Sequence, residues 1–267
     1  MKNWRTPQEK KPDFKKKYDP YPTTRFFDQA AFIGNPCVCC FIIETSEGLI
    51  LIDCMWPGEE HLDMIHEGIK VLGYEMKDLK VILLTHGHPD HYGSADVLRA
   101  ESGAKIYMSK IDYDFARGPQ KGPFDPMSFE VDGFLEDGQD VTLGDMTVHC
   151  VWTPGHTPGC MSFIIPVTDE GRKHNLALWG GTGLLLESDK QVYLESVEKF
   201  AAVCDQYGVD AEVSNHPFVD NGIERLEVIR NICNGVANPF VIGRDAYKRY
   251  EDKFRQMCIE AMKADHR

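Results

Sequence analysis

Three histidines and one aspartate lie within six positions of the segment VILLTHGHPDHYG. They are His86, His88, Asp90 and His91, and they follow an apolar run over residues 81–84. Imidazole nitrogens and carboxylate oxygens are ligands that zinc prefers, with iron and manganese as alternatives. The chain has only 10 His among 267 residues, so chance clustering is improbable. The pattern therefore predicts a metal site.

The spacing of these four residues indicates how they divide between two neighbouring metal sites. In an extended backbone, His86 and His88 point to the same side and can reach one cation. Pro89 starts a turn, after which Asp90 and His91 can reach a second site nearby. The alternative is a polar loop with histidines grouped by chance, and the position directly after a buried strand argues against it.

Further ligands must come from elsewhere in the chain. His156 lies in WTPGHTPG, a turn rich in Pro and Gly, and His216 lies in SNHPF at the end of a β-rich run. Loops at strand ends commonly carry functional residues, so both are candidate ligands. The remaining histidines have surroundings that favour structural or exposed roles: His61, His66, His149, His174 and His266.

The elements that must position these residues form two similar rounds of strands and helices. In the first round, the sequence predicts a hairpin over residues 37–53, an amphipathic helix over 58–74, a strand over 80–85, a short helix over 94–103 and a strand over 104–109. In the second round, it predicts strands over residues 140–152, 161–166 and 175–179. A helix, a strand that ends at the segment SNHP and further helices follow. This order fits a mixed α/β domain with two facing sheets and helices outside. We expect a polar arm over residues 1–30 and one domain over residues 31–267.

Residues 112–137 mix Gly, Pro and aromatic residues without a clear period. This predicts a long loop, a kind of segment that often covers a binding site. Two roles are open for its aromatic residues, contact with a substrate and packing within the loop: Tyr113, Phe115, Phe124 and Phe129. Trp56 and Phe218 are similar candidates near the mouth of the site.

Charge and composition exclude several function classes. The net charge is −13 and the pI is about 5.2, which argues against binding to nucleic acid or an anionic membrane. One basic cluster, which contains Lys10, Lys11 and residues 15–17, fits a solvated arm. The sequence shows neither a signal peptide nor an apolar run that could span a bilayer, so we expect a cytoplasmic location. Nine cysteines, an odd number, indicate buried free thiols.

Together these motifs resemble the metallo-β-lactamase superfamily. The H-x-H-x-D-H signature is matched in full at residues 86–91, and Asp53 in GLILID is similar to the family's structural aspartate. TPGHTPG around His156, LALWGGTG and SNHP around His216 resemble the later motifs. The resemblance extends roughly from residue 34 to residue 221. It implies a four-layer αββα sandwich with a dinuclear metal site at one edge of the sheets.

The resemblance also implies a role for each ligand. The first of two zinc ions would be held by His86, His88 and His156, and the second by Asp90, His91 and His216. A hydroxide bridging the metals would attack a carbonyl, because metal coordination lowers the pKa of water towards neutrality. Asp90 would orient this hydroxide and accept its proton, which makes it the candidate catalytic residue.

One position departs from much of the family. Thioesterases, lactonases and phosphodiesterases of this superfamily carry an aspartate that bridges both metals, and here that position is Gly181. The pattern is closest to the β-lactamase subclass whose second zinc is held by Asp-His-His. Without this aspartate the site has one negative charge fewer. This would favour anionic substrates and weaken binding of the second metal ion. Cys54, which follows the structural aspartate, is interpreted as a packed thiol, with a ligand role as the alternative.

Three functions follow from these observations. The first is a dinuclear zinc hydrolase that attacks the carbonyl of a small cyclic amide or ester, as a β-lactamase does. The second is a lactonase or thioesterase of the same superfamily. The third is a non-hydrolytic metal-binding or redox protein, which the intact ligand set disfavours.

Overall fold

The computed structural model describes residues 12–13, 16–119, 125–184, 188–231 and 236–265. Its strands are β1 Tyr21–Arg25, β2 Ala30–Gly34, β3 Cys39–Thr45, β4 Gly48–Ile52, β5 Leu79–Leu83, β6 Lys105–Ser109, β7 Gly133–Leu135, β8 Asp140–Leu143, β9 Met146–Trp152, β10 Met161–Asp169, β11 Arg172–Leu178 and β12 Ala211–Val213. Its helices are α1 Glu59–Val71, α2 Pro89–Tyr92, α3 Ala95–Ser102, α4 Lys110–Ala116, α5 Lys190–Tyr207, α6 Pro217–Asp220, α7 Gly222–Asn231 and α8 Arg244–Asp265. Several residues discussed above lie outside the described part: Lys10, Lys11, Lys15, Phe124, Cys233 and His266.

Two sheets form the centre of the domain. The first has seven strands in the order β1 to β7, antiparallel up to β4 and parallel from β4 onwards. The second has five strands in the order β12-β11-β10-β9-β8, in which only β12 runs parallel to its neighbour. The hairpin between β3 and β4 turns at residues 46–47, with Thr45 opposite Gly48, as the sequence predicts.

Alternating side chains of each strand enter different apolar layers, because successive residues of a strand face opposite sides. Phe41 of β3 and Phe163 of β10 lie in the layer between the two sheets. Ile42 of β3 packs outward with Ile65 of α1, and Ile164 of β10 packs outward with Phe200 of α5. Three apolar layers separated by two sheets confirm the expected αββα sandwich.

Residues 21–27, which the sequence places in a polar arm over residues 1–30, are part of the folded domain in the structure. Tyr21–Arg25 forms β1, which pairs antiparallel with β2, and Phe26 and Phe27 are buried in the core between the sheets. This short segment contains Pro and Arg and has no alternation of apolar residues. It becomes a strand by pairing with β2, so its own sequence does not predict a strand. The single domain over residues 31–267 stays a prediction.

The long loop predicted over residues 112–137 is also interrupted by regular structure. The helix α4 continues to Ala116 and is capped at its start by Ser109, whose hydroxyl accepts from the backbone N–H of Asp112 at 3.0 Å. Gly133–Leu135 pairs with β6 as an edge strand. A serine cap and a three-residue strand are short signals, which the surrounding Gly and Pro obscure.

In the part of the chain that the structure describes, no helix has both the length and the apolar character needed to cross a bilayer.

The layer between the sheets should dominate stability. Phe163 is completely buried there, and Phe163→Ala is expected to lower the free energy of unfolding by about 3–5 kcal/mol through lost burial and a cavity. Val97→Ala, at an exposed position of α3, is the control and should change it by less than about 0.5 kcal/mol. Urea denaturation followed by circular dichroism measures both, and equal effects would contradict the layer assignment.

Candidate metal centre

All six predicted ligands lie at the ends of strands. His86 and His88 follow β5, and Asp90 and His91 lie in α2, where Pro89 occupies the first helical turn. His156 lies between β9 and β10, and His216 follows β12 directly before α6. The two sheets meet at this end through a hydrogen bond from the backbone N–H of Met161 to the carbonyl of Thr85, at 2.8 Å.

The structure brings these six side chains together as two groups of three. In each group, one candidate ligand atom per residue lies within 4.8 Å of the others. The first group contains His86, His88 and His156, and the second contains Asp90, His91 and His216. The ring centroids of His86 and His91 are 3.9 Å apart, so the groups are adjacent. The spacing of residues 86–91 predicts this division for four of the six, and the resemblance implies it for His156 and His216; the ligand roles themselves stay a proposal.

Short distances define each group. The Nδ1 atom of His88 lies 3.1 Å from Nε2 of His156. In the second group, the Oδ2 atom of Asp90 lies 3.5 Å from Nε2 of His91 and 3.7 Å from Nε2 of His216. Asp90 and His91 are buried, and His216 is partly buried.

Hydrogen bonds fix which ring nitrogen faces each group. The Nδ1 atom of His156 donates to the carbonyl of Gly183, and Nδ1 of His216 donates to the carbonyl of Cys37 at 2.8 Å. A carbonyl can only accept, so Nδ1 carries the proton and the lone pair of Nε2 points into the group. Orienting bonds of this kind are typical of histidines that bind a metal.

Asp53 orients one histidine of each group. Its Oδ2 accepts from Nδ1 of His91 at 2.8 Å and from the side-chain amide of Asn215 at 3.1 Å. The hydroxyl of Thr85 donates its hydrogen to Asp53. The hydroxyl oxygen of Thr85 can therefore accept from Nδ1 of His86 at 3.0 Å. One carboxylate is therefore connected to both candidate metal groups.

Burial and neighbouring charge shape the protonation of the groups. Burial, reinforced by the surrounding imidazoles, lowers the pKa of His86 far below its usual value and that of His156 to about 3. Burial also lowers the pKa of His91, but the carboxylates of Asp90 and Asp53 outweigh it and raise this pKa to about 10. Burial favours protonated Asp90, but the adjacent imidazoles keep its pKa below the ordinary value. Burial thus disfavours protonation of His86 and His156 in the first group, and the carboxylates beside His91 give the second group a negative field that favours a cation.

The residues present fit zinc ions. The Nε2 atoms of His86 and His91 are buried and form no hydrogen bond with any described residue. An unsatisfied buried nitrogen costs about 1–3 kcal/mol, and a metal that accepts its lone pair removes this cost. Three histidines, and two histidines with one carboxylate, are sets that leave an open position on zinc.

Gly181 lies against the first group. A Cβ atom at this position would lie 2.4 Å from Cβ of His156 and 3.0 Å from Sγ of Cys160. The carbonyl of Gly181 accepts from Nε1–H of Trp179 and from the hydroxyl of Tyr193, both at 2.7 Å, which fix the loop. His156 therefore occupies the space that any side chain at position 181 would need.

Cys54 lies beside the site but outside both ligand groups. Its backbone N–H donates to the carbonyl of His91 at 2.6 Å, and burial raises the pKa of its thiol well above the ordinary value. This supports the interpretation of Cys54 as a packed thiol. The eight described cysteines are all buried and unpaired by disulfides, as the sequence predicts.

One aromatic residue lies beside each ligand group, and the other candidates pack elsewhere in the domain. Phe115, which is 37% exposed, lies 5.7 Å from the His88 ring between centroids, and Phe218 lies 5.5 Å from the His216 ring. Tyr113 is buried and Phe129 packs against Tyr92. Trp56 packs at the edge of the core on the α1 side of the first sheet.

Three polar residues near the ligands were not found from the sequence. Thr85 and Asn215 directly precede ligand histidines, and this adjacency is a usable signal. Asp112 gives no local signal, although its buried carboxylate contacts the loops of the first group. Burial raises its pKa to about 6, partly offset by the hydrogen bonds it accepts from Thr157, Gly87 and Gly159.

Comparison with known proteins agrees with this geometry. The family model described as "Metallo-beta-lactamase superfamily" matches residues 38–169. FEZ-1 metallo-beta-lactamase from Legionella gormanii is 22% identical with a TM-score of 0.83, covering 94% of this chain and 99% of that one. MEM-A1, a subclass B3 metallo-beta-lactamase from a soil metagenome library, is 25% identical with a TM-score of 0.77, covering 94% and 99%. Residues 38–169 thus confirm the resemblance to the metallo-beta-lactamase superfamily that the sequence shows, and the structure contains the Asp-His-His group expected from that resemblance.

A curated relative matches over a shorter stretch. The probable polyketide biosynthesis zinc-dependent hydrolase BaeB of Bacillus velezensis is 32% identical over 128 residues. The aligned segment covers 47% of this chain and 50% of BaeB. The chain thus matches about half the length of this relative.

Asp53→Asn should weaken metal binding. Asparagine tolerates the positive φ of 61° at this position, but its amide replaces an acceptor that faces His91 and Asn215. We expect zinc affinity to fall about 10–100-fold, measured by competition with a chromophoric chelator. Asp145→Asn is the control, because this exposed carboxylate accepts a backbone bond from Ser46. Unchanged affinity in Asp53→Asn would contradict the orienting role.

Two alanine substitutions test the space around His156. Gly181→Ala should displace His156 and lower zinc content, because its Cβ would lie 2.4 Å from Cβ of His156. Gly183→Ala adds the same atom two residues away at an ordinary 3.5 Å from the His156 ring, and it should bind zinc as the unchanged chain does. Metal analysis after gel filtration distinguishes the two, and a Gly181→Ala protein with full zinc content contradicts the close packing.

Proposed function

We propose that this protein is a dinuclear zinc-dependent hydrolase that cleaves the carbonyl–nitrogen bond of a small cyclic amide, in the manner of a β-lactamase. The observation that carries this proposal is the pair of adjacent ligand groups, which contain five histidines but a single carboxylate, Asp90. His86, His88 and His156 would hold one zinc ion, and Asp90, His91 and His216 would hold the other.

Zinc supplies two kinds of chemistry in such a site: it lowers the pKa of water towards neutrality and polarises a carbonyl oxygen. The chain supplies the geometry for both. Hydrogen bonds to Gly183, Cys37 and Asp53 hold His156, His216 and His91 in fixed orientations. Preorganised ligands lower the cost of reaching the transition state because they need not rearrange during the reaction.

Asp90 is the proposed catalytic residue. Its Oδ2 atom faces the imidazoles of His91 and His216, which leaves Oδ1 to accept a hydrogen bond from the attacking water. The pKa of Asp90 is held low by these imidazoles, so its carboxylate is ionised at neutral pH. Oδ1 can therefore orient the nucleophile and receive its proton before this passes to the leaving nitrogen.

The charge of the site favours an anionic substrate. Two divalent cations would face only one carboxylate among the ligands, and Gly181 leaves no room for a second at its position. A substrate carboxylate beside the reacting carbonyl would be attracted to this excess positive charge. Phe115 and Phe218 lie beside His88 and His216, where they can contact apolar parts of the substrate.

The comparisons support the choice of metal and reaction. BaeB is a probable zinc-dependent hydrolase, and MEM-A1, which covers nearly the whole chain, is a subclass B3 metallo-beta-lactamase. Iron and manganese remain alternatives as metals. The small-molecule partner and the cytoplasmic location stay predictions from the sequence.

A lactone or thioester is the alternative substrate, since any polarised carbonyl can be attacked in the same site. Gly181 favours the cyclic amide, because the sequence resemblance associates a carboxylate at this position with lactonases and thioesterases. Rates on three substrates therefore distinguish these classes.

A substrate panel on metal-quantified protein tests the proposed function. We expect hydrolysis of nitrocefin to exceed that of a homoserine lactone and of an acyl-glutathione. His88→Ala removes a ligand of the first group and should lower the rate by more than about 100-fold. His66→Ala is the matched control, since His66 pairs with Glu101 on the surface, and its rate should not change. Activity that survives His88→Ala would show that the site is assigned to the wrong residues.

A further inference from the structure

We propose that Asp112 is a positioning residue that fixes the geometry of the first ligand group by joining its two loops. This inference rests on the proposed zinc site. Asp112 lies in α4, is completely buried, and belongs to neither ligand group. It acts through the backbone and through Thr157, and it has no direct contact with a substrate in this proposal.

Three hydrogen bonds carry the proposal. The Oδ2 atom of Asp112 accepts from the backbone N–H of Gly87 at 2.7 Å and from the hydroxyl of Thr157 at 2.6 Å. Its Oδ1 atom accepts from the backbone N–H of Gly159 at 2.6 Å. Gly87 lies between His86 and His88, and Thr157 directly follows His156. One side chain therefore holds both segments that supply the three histidines.

Close packing adds to these bonds. The hydroxyl of Ser109 donates to the carbonyl of Gly159 at 2.6 Å. A Cβ at Gly159 would lie 2.3 Å from this hydroxyl, and a Cβ at Gly87 would lie 2.7 Å from the carbonyl of Asp112. Both loops thus lie directly against the start of α4, and neither can move away from it without losing several contacts.

A carboxylate is the side chain that this position requires. Among the described residues, three donors form hydrogen bonds with it, so an asparagine would turn its own amide hydrogens towards at least one of them. The second group is held differently, through Asp53 and the carbonyl of Cys37. Loss of the Asp112 carboxylate should therefore affect the first group selectively.

The test measures zinc affinity in chains that retain one ligand group. Asp112→Asn is combined either with His216→Ala, which leaves the first group intact, or with His156→Ala, which leaves the second intact. Chelator competition gives the zinc dissociation constant, and visible absorption of bound Co²⁺ reports ligand geometry. We expect Asp112→Asn to weaken the first group about 10–100-fold and change its Co²⁺ spectrum, with less than about threefold effect on the second.

Asp28→Asn is the control matched in its donors. Asp28, which is exposed, also accepts from one threonine hydroxyl and two backbone N–H groups, those of Thr168, Glu170 and Gly171, and none of these residues belongs to a ligand group. It should leave the zinc affinity of both groups unchanged. An equal loss in Asp28→Asn would mean that the effect is general destabilisation, and this would overturn the proposal.

Thr157 provides a second variant in case Asp112→Asn does not fold. Thr157→Val removes one of the three bonds and should weaken the first group, while Thr157→Ser keeps the hydroxyl and should restore its affinity. Equal affinities for Val and Ser, or equal effects of Asp112→Asn on both groups, overturn the positioning role. If the unsubstituted chain binds no zinc, the proposed function itself fails, which is a separate outcome.

Discussion

The candidate metal centre depends on the buried carboxylate of Asp53. It accepts hydrogen bonds from the backbone and hydroxyl of Thr85, the ring of His91 and the amide of Asn215. A buried charge is tolerated only when such donors compensate for lost hydration. Because these donors come from the segment that follows β5, from α2 and from the segment that follows β12, satisfying one charge forces three separate segments to converge. The ligand histidines on those segments converge with them.

Small residues make this convergence possible. Gly87, Gly159 and Gly181 lie where a Cβ would come within 2.7 Å of a neighbouring atom, so the loops that carry the histidines can pack at backbone distance. The same packing limits the chemistry. A side chain at position 181 would collide with His156, and the six candidate ligands consequently include a single carboxylate. The charge of the site and the packing of its loops are therefore linked.

Much of the fold could be predicted from the sequence, because its signals are local. The β3–β4 hairpin, α1 and the buried strand β5 each show the period of their secondary structure in a few residues. Where the signal was short or mixed, prediction failed. Tyr21–Arg25 becomes a strand only by pairing with β2, and α4, which starts at Lys110, continues into the segment from residue 112 whose Gly and Pro predict a loop.

The sequence by itself determined the six candidate ligands, since the chemistry of His and Asp is a property of the residue. The spacing at residues 86–91 also assigns four of them to the two ligand groups. The tertiary structure alone decided which ring nitrogen of His91, His156 and His216 faces its group and which partner holds that ring. Asp112 contacts loops 25 to 47 residues away, and Asn215 reaches Asp53 across 162 residues. Such contacts depend on how the two sheets pack, and no local pattern in the chain encodes them.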